Sequence, residues 1–331
     1  MKTLILGWPV QPPQEWLKNY PDVMASRIYQ PNRGFFHRIT KNLSFHAGSM
    51  LRHIPWLNPV HWYEDWKYHV REYDTVILID ELRGRDIFEY ILAQHPQCNL
   101  CVFFDSPIDP GSPKCPTNYR DLPVRFFTCD SKIAMDYQIP FVPYFYIFSP
   151  YGWEQYQQMA LKPQPIKQDV YFVGEEKGDR MQQLQRLAKL FDEAGITYTF
   201  QLVRRKQHHY TPEEKAQTTD YVPYAEILQN IQQSGALLEL ISNGQTGLTQ
   251  RAYEALFFGK KLITSSDEIK KYDFYVEQNV LVMDEATDCE TIHQFIRTSM
   301  LGIGDDLRKR YTLNGWLNAF SISPMNTEKE Q

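Results

Sequence analysis

The sequence predicts an α/β protein made of two Rossmann-like domains, and three observations lead to this fold class. Short apolar runs alternate with stretches of helical periodicity, which is typical of parallel sheets flanked by helices. The chain has 331 residues, about two domains of ordinary size. A proline-rich stretch at 149–168 separates two alternating series, as a linker does. We therefore expect a first domain at 1–150, a linker at 151–168 and a second domain at 169–305.

Three strands and one helix are expected in the first half. The apolar runs Thr3–Leu6, Thr75–Ile79 and Leu100–Phe104 predict strands, and each is bounded by Gly, Asp or Asn. The spacing of apolar residues in Gly84–Gln94 predicts a helix. Residues 28–72 lack this regularity, and we interpret them as an irregular or helical insert.

The second half repeats the alternation of strands and helices. Its predicted strands are Asp169–Val173, Thr197–Val203, Ala236–Ile241, Lys261–Thr264 and Val280–Met283. Its predicted helices are Asp179–Ala194, Tyr224–Gln233 and Thr249–Phe258. Gly195 stands where a helix C-cap glycine belongs. Open parallel sheets bind ligands beyond the carboxyl ends of their strands and at helix N-termini, so the loops after these strands are the places to look for a site.

Composition and charge exclude several classes of protein. Hydrophobic residues make up 43% of the chain and charged residues 23%, which excludes a disordered or collagen-like protein. The net charge of −5 argues against a dedicated nucleic-acid binder. Five cysteines are too few for a disulfide scaffold, and no apolar run is long enough to span a membrane. We therefore expect a cytoplasmic location.

The loop after the first strand of the second half is a candidate anion site. Gly174 permits close approach of the backbone, and Lys177 and Arg180 bring two cations to the start of a helix. The phosphate-binding P-loop pattern is absent, and an ordinary polar loop is the alternative. Arg204 belongs to a basic run with His208 and His209, which suits either a phosphate or metal patch or a solvated loop.

A second loop leads into the helix predicted to begin at Thr249, which is a good N-cap residue. Gly247 lets backbone N–H groups approach a phosphate. Arg251 and Glu254 are three residues apart and share a helical face near the positive end of the helix dipole. The arginine suits a diphosphate and the carboxylate suits the hydroxyls of a ribose. A structural Arg–Glu pair on the helix surface is the alternative.

The stretch 221–275 resembles the donor-binding domain of bacterial lipopolysaccharide and capsular polysaccharide glycosyltransferases. The recurring motifs of that family stand here as Pro223-Tyr224, Gln245 to Leu256 (QTGLTQRAYEAL), Lys260 to Thr264 (KKLIT) and Tyr272 to Tyr275 (YDFY). The segments DVYFVGEEKGDRMQQLQRL and RFFTCDSKIAMDYQIPFVPYFY are also similar to parts of the family. The resemblance covers residues 125–282 and hardly reaches the first 100 residues.

The resemblance implies a GT-B fold, in which two Rossmann-like domains face each other across a cleft. It implies that a nucleotide-sugar binds the second domain, a saccharide or lipid-linked acceptor binds the first, and residues 306–331 form a helix that crosses back. The donor site it implies consists of Arg251 and Glu254 with a cradle from Gly247, Leu248 and Thr249. Gly174, Lys177, Arg180, Arg204 and Tyr224 are the further donor-binding candidates. Such enzymes transfer sugars, hexoses among them, without a bound metal or another cofactor.

The acceptor side of the chain departs from the family pattern. Phe104-Asp105-Ser-Pro107 stands where the family has a Trp-Asn-Pro-like turn. Asp105 follows an apolar strand and is therefore the leading candidate for the general base, with His46 and Asp80 behind it. A carboxylate that caps the turn is the alternative.

Residues 33–71 interleave basic and aromatic side chains. The basic ones include Arg33, Arg38, Lys41 and Arg52, and the aromatic ones are Phe35, Phe36, Phe45, Trp56, Trp62 and Trp66 among others. This composition suits contact with an anionic membrane, here the inner face of the cell membrane. Aromatic residues packed in a core are the alternative.

Three functions compete on this evidence. The first is sugar transfer from a nucleotide-sugar donor in the synthesis of bacterial surface polysaccharides. The second is a non-catalytic protein of the same fold that binds nucleotide-sugars or glycans. The third is a sugar-nucleotide epimerase, which would need clustered His and carboxylate residues that the sequence does not reveal. The presence of both Arg251 and Glu254 favours the enzyme.

Overall fold

The computed structural model describes residues 2–7, 17–46, 51, 53–80, 82–146, 164–205, 208–241 and 247–321. The chain forms two compact units. The first is built from residues 1–144 and 316–331, and the second from 145–315. The expected linker at 151–168 lies mostly outside the described residues.

The first unit contains a five-stranded parallel sheet in the order β2-β1-β3-β4-β5. Its strands are β1 (Thr3–Leu6), β2 (Val23–Ser26), β3 (Thr75–Ile79), β4 (Asn99–Phe104) and β5 (Val124–Thr128). Every residue of β1, β3 and β4 is buried, because helices and loops cover both faces of a parallel sheet. This explains why these strands stand out as continuous apolar runs in the sequence.

Helices surround this sheet, and the end of the chain packs against it. The helices are α1 (Phe35–His46), α2 (Trp66–His69), α3 (Asp86–Gln94) and α4 (Ser131–Tyr137). The ring of Trp316 lies 5.1 Å from that of Phe103, and the ring of Phe320 lies 4.8 Å from that of Phe127. The amide of Asn99 donates to the backbone oxygen of Phe320 at 2.8 Å. These contacts make the last described residues part of the first unit.

The second unit has its own five-stranded parallel sheet, in the order β10-β9-β8-β6-β7. Its strands are β6 (Gln168–Glu175), β7 (Tyr198–Val203), β8 (Ser234–Glu239), β9 (Lys261–Thr264) and β10 (Val280–Val282). Its helices are α5 (Arg180–Glu193), α6 (Pro212–Ala216), α7 (Tyr224–Gln232), α8 (Gln250–Phe258), α9 (Cys289–Arg297) and α10 (Asp305–Arg310). The last helix, α11 (Leu313–Asn318), contains the boundary between the units. Gly195 follows α5 with a φ of +64°, the left-handed conformation of a C-cap glycine.

The two sheets share one winding pattern, so the predicted α/β class with two Rossmann-like domains is confirmed. Counted within each unit, both strand orders read 2-1-3-4-5, the doubly wound arrangement of flavodoxin-like sheets. The winding reverses between β1 and β3 in the first unit and between β6 and β8 in the second. A crevice forms at the carboxyl ends of the two strands at such a switch point.

Candidate functional site

A pocket of 210 Å³ lies at the switch point of the second sheet. The ends of β6 and β8, which are neighbours in the sheet, form two of its walls, and the start of α8 forms the third. Four residues predicted from the sequence line it together: Gly174, Arg180, Thr249 and Arg251. The structure therefore joins the two candidate loops in one site.

Gly174 lines this pocket at a position where a side chain would crowd its neighbours. A Cβ atom at this position would stand 3.0 Å from the ring of Phe172 and 3.3 Å from Nη1 of Arg180. Arg180 spans the pocket wall, because its guanidinium donates to the backbone oxygen of Glu175 and, at 2.8 Å, to that of Leu240. Burial lowers the pKa of Arg180, which nevertheless stays charged at neutral pH.

The N-terminus of α8 is held by a buried carboxylate. Thr249 caps the helix, with its hydroxyl accepting from the backbone N–H of Arg251 at 3.1 Å. Glu239, 2% exposed at the end of β8, accepts from the hydroxyl of Thr249 at 2.6 Å and from the hydroxyl of Thr264 at 2.5 Å. Burial raises the pKa of Glu239, and the threonine hydrogen bonds oppose that shift. These bonds fix the helix end that faces the pocket.

Arg251 and Glu254 form an ion pair inside the unit rather than on its surface. Glu254 is 1% exposed, with one oxygen bound to Arg251 and the other accepting from the hydroxyl of Tyr224 at 3.2 Å. The hydroxyl of Tyr224 lies 2.6 Å from that of Tyr146. Burial raises the pKa of the Glu254 carboxyl, and Arg251 counteracts the effect. Glu254 does not line the pocket, so this carboxylate positions Arg251.

Arg251 has spare binding capacity at the pocket. Its Nε is buried and has no hydrogen-bond partner among the described residues. A buried donor without a partner costs stability, and it belongs to a side chain that lines the pocket. Together with the positive end of the α8 dipole, Arg251 gives the pocket wall a positive charge, which suits an anion.

The other donor-side candidates lie around this pocket or outside it. Gly247 and Leu248 are half-buried and directly precede the cap at Thr249. Lys177 is exposed and pairs with Glu175 at 3.1 Å. Arg204 lines a separate hollow between β7 and α6, where its guanidinium binds the backbone oxygen of Thr218 and, at 2.5 Å, the carboxylate of Asp220. The structure therefore does not bring Lys177 and Arg204 to the pocket.

Sequence analysis missed two members of this site. Glu239 ends an otherwise apolar strand, and a lone carboxylate in such a run is a recognisable signal for a buried polar network. Tyr146 offers no signal in the sequence, because its link to Tyr224 depends on packing between distant segments.

A second polar cluster lies at the carboxyl ends of β3 and β4 in the first unit. Asp80 directly follows β3 and Asp105 directly follows β4, which is its neighbour in the sheet, so the two residues lie at the same edge. One oxygen of Asp80 accepts from the hydroxyl of Ser106 and, at 3.0 Å, from Nζ of Lys114. Asp80 has a φ of +54°, and a residue other than glycine is rarely held there. Two of the three base candidates therefore form one pair.

The environment of Asp105 disfavours the charged form of its carboxyl group. Burial and the neighbouring Asp80 raise the pKa of Asp105 to about 6, and Lys114 partly offsets the shift. A carboxyl group with a pKa near neutrality is suited to accept and release protons. The third candidate, His46, is exposed at the end of α1, and its Nδ1 lies 2.9 Å from the backbone oxygen of Asn42. Within the described ranges, no three His, Cys, Asp or Glu residues gather as a metal site requires.

Comparison with known proteins identifies no family. No family model matches the chain, and no curated protein does. Among solved structures, a UGT transferase from Siraitia grosvenorii in complex with UDP has a similar course of the chain. Its sequence is 12% identical, the alignment covers 98% of this chain and 96% of that chain, and the TM-score is 0.44. Another is a putative UDP-N-acetylglucosamine 2-epimerase from Listeria monocytogenes, 9% identical (96% and 94%, TM-score 0.44). A third is WaaG, a glycosyltransferase involved in lipopolysaccharide biosynthesis, 10% identical (97% and 93%, TM-score 0.42). With TM-scores below 0.5, none of these similarities assigns an activity to this chain.

Proposed function

We propose that the protein is a glycosyltransferase that moves a sugar from a nucleotide-sugar to a saccharide or lipid-linked acceptor, in the synthesis of a bacterial surface polysaccharide. The observation that carries this proposal is the pocket between β6, β8 and α8, with the unpartnered Nε of Arg251 at its wall. The motif resemblance in the sequence supports the same site.

Arg251 is the proposed ligand of the donor diphosphate. Its buried guanidinium and the N–H groups ahead of α8 supply positive charge where the leaving diphosphate gains negative charge. Gly174 lines the pocket beside Arg180, and Thr249, which follows Gly247 and Leu248, caps the helix at the pocket wall. Glu254 is proposed as a positioning residue, because its carboxylate holds the Arg251 side chain and is itself covered. Since cations and a helix dipole stabilise the leaving group, catalysis needs no divalent metal.

Asp105 is the proposed general base for the acceptor. It takes the proton of the acceptor hydroxyl while that oxygen bonds to the anomeric carbon of the donor sugar. The bond from the anomeric carbon to the diphosphate breaks, and the nucleoside diphosphate leaves with the electron pair. The negative charge of the neighbouring Asp80 helps Asp105 to hold that proton. A base of this kind belongs to an inverting transfer.

Release of nucleoside diphosphate tests this proposal. The protein is incubated with a panel of uridine, guanosine, adenosine and thymidine diphosphate sugars, and products are followed by phosphorus NMR. We expect slow hydrolysis of one donor class in the absence of an acceptor, and its loss in Arg251→Ala but not in Arg297→Ala, an exposed arginine of the same unit. Binding of a donor without any turnover, with and without a panel of saccharide acceptors, would indicate a non-catalytic binding protein instead.

A further inference from the structure

Helix α1 carries its apolar side chains on the side that faces the solvent. Phe35 is 64% exposed, Phe36 82%, Leu43 52% and Ile39 39%. A helix on the surface of a globular protein normally turns this stripe towards the core. Here all four side chains of the stripe are exposed.

The inward side of the same helix carries Lys41, Ser44 and Phe45, and it is well anchored. Lys41 is buried and its Nζ donates to the backbone oxygen of Gln30 at 2.6 Å. Ser44 is fully buried, and the ring of Phe45 lies 4.9 Å from that of Tyr29. These contacts fix the rotation of α1, so the exposed position of its apolar stripe is built into the fold.

Basic residues are concentrated in the sequence segment that contains this stripe. Residues 23–63 contain five Lys and Arg and no Asp or Glu, although the whole chain has a net charge of −5. Arg27, Arg33 and Arg38 are exposed, and the guanidinium of Arg38 lies 5.8 Å from the ring centre of Phe35. Trp56, 48% exposed, lies on the same carboxylate-free stretch.

We infer that α1 is a docking surface for an anionic phospholipid bilayer, with Phe36 and Leu43 inserted among the acyl chains and Arg33 and Arg38 against the headgroups. An amphipathic helix with aromatic and aliphatic residues on one side and flanking cations lies in the plane of such an interface. Basic residues near an anionic leaflet each contribute to binding. A protein partner or a second copy would need acidic residues to match this charge, and the stretch itself has none to offer a second copy.

This surface places the protein on the membrane without crossing it. Among the described residues, no helix is long and apolar enough to span a bilayer. The inference rests on α1 and the basic stretch that contains it, and it is independent of the donor pocket, which lies in the other unit. If the proposed function is right, docking brings the enzyme to the leaflet that holds a lipid-linked acceptor.

Co-sedimentation with vesicles tests the inference. The full chain is mixed with vesicles of phosphatidylcholine alone or of phosphatidylcholine with phosphatidylglycerol. We expect binding to the anionic vesicles that weakens as salt is raised, because salt screens the headgroup charge. The double variant F36S/L43S should bind at least ~10-fold more weakly, since it loses two inserting side chains. The variant R33Q/R38Q should lose roughly fivefold for each arginine, and mainly on anionic vesicles.

The control variant is Met135→Ser, which removes an apolar side chain that is 77% exposed on α4 of the same unit. It should bind vesicles like the unaltered protein. All variants change exposed residues, and their folding is checked by circular dichroism melts.

Absence of binding to anionic vesicles, or equal loss of binding in Met135→Ser, would overturn the inference. So would a concentration-dependent dimer that F36S/L43S abolishes, which would assign the stripe to a second copy. Donor binding is measured on the same variants. Loss of vesicle binding with intact donor binding concerns the docking surface alone, whereas absence of donor binding in the unaltered protein concerns the proposed function.

Discussion

Arg251 and Glu254 stand three residues apart on α8 and form an ion pair in which the carboxylate is 1% exposed. The spacing alone allowed a pair on the helix surface, and the structure places it inside. The difference matters because removing one partner of a buried pair leaves an uncompensated charge, whereas an exposed pair contributes little. The pair therefore links the stability of the second unit to the shape of the donor pocket.

A double-mutant cycle on this pair should show strong coupling. Glu254→Ala leaves the Arg251 charge buried without a partner and should lower the free energy of unfolding by about 3 kcal/mol. Arg251→Ala should weaken donor binding by ~1–3 kcal/mol, the scale of a lost charged hydrogen bond. The double variant should be less destabilised than the sum of the single ones. Urea unfolding measures all four proteins, and additive effects would mean that the pair does not act as a unit.

Gly174→Ala should impair donor binding without unfolding the protein. The new Cβ would stand 3.0 Å from the Phe172 ring and 3.3 Å from Arg180, so Arg180 or the ring has to shift inside the pocket. We expect at least ~10-fold weaker binding, because misplacement of a binding group by an ångström is costly. Gly302→Ala is the matched control, since a Cβ there meets nothing within 4 Å. Equal donor affinity in both variants would remove Gly174 from the site.

The strands at the core of each sheet were predictable, and the reason is burial on both faces. β3, β4, β6 and β8 appear as continuous apolar runs because helices and loops cover both sides. The edge strand β2 was missed, since its four residues are only half-buried and give no such run. Helix α1 lies within residues 28–72, which the sequence predicted as an irregular or helical insert without bounds for a helix.

The candidate sites were predictable only in part. Thr249, Arg251 and Glu254 share one helix, so their spacing was sufficient to group them. Gly174 joins them only because β6 and β8 are neighbours in the sheet, which depends on strand order. The pairing of Asp80 with Asp105 depends on the adjacency of β3 and β4 in the same way. The positions of Lys177 and Arg204 outside the pocket follow from their local partners Glu175 and Asp220.

Asp105→Asn should abolish most of the transferase activity. The variant keeps the shape of the side chain but cannot accept a proton, so we expect a loss of ~10²-fold or more. In the unaltered protein, kcat/KM should rise as pH increases through about 6, since the base must be ionised. Initial rates between acidic and neutral pH test both points. Near-normal turnover of the variant would mean that Asp105 is not the base and only caps the turn.

Ionisation of Asp105, which the proposed activity needs, should lower the stability of the folded protein. Because the pKa of Asp105 is raised to about 6 in the folded state, the folded protein binds more protons than the unfolded chain between about pH 4 and pH 6. The contribution of this group to stability is therefore full at acidic pH and declines as pH rises through that window. Asp105→Asn should be more stable than the unaltered protein at neutral pH by roughly 1–3 kcal/mol. Urea unfolding of both proteins from acidic to neutral pH checks this prediction. A stability of Asp105→Asn at neutral pH that is equal to or lower than that of the unaltered protein would contradict it.

Chelators should leave sugar transfer intact. In the proposed mechanism, Arg251, Arg180 and the N-terminus of α8 supply the positive charge that a divalent metal would otherwise bring to the diphosphate. Initial rates with EDTA should match those without it. Complete loss with EDTA that Mg²⁺ or Mn²⁺ restores would contradict metal-independent catalysis.

The most direct test of the central claim, that the pocket at β6 and β8 binds a nucleoside diphosphate sugar, is titration calorimetry with the donor panel on three proteins. These are the unaltered chain, Arg251→Ala and the exposed control Arg297→Ala. We expect one donor class to bind the unaltered chain and the control equally and Arg251→Ala at least ~5-fold more weakly, the lower end of a lost charged hydrogen bond. Equal donor affinity in all three folded proteins would contradict the claim.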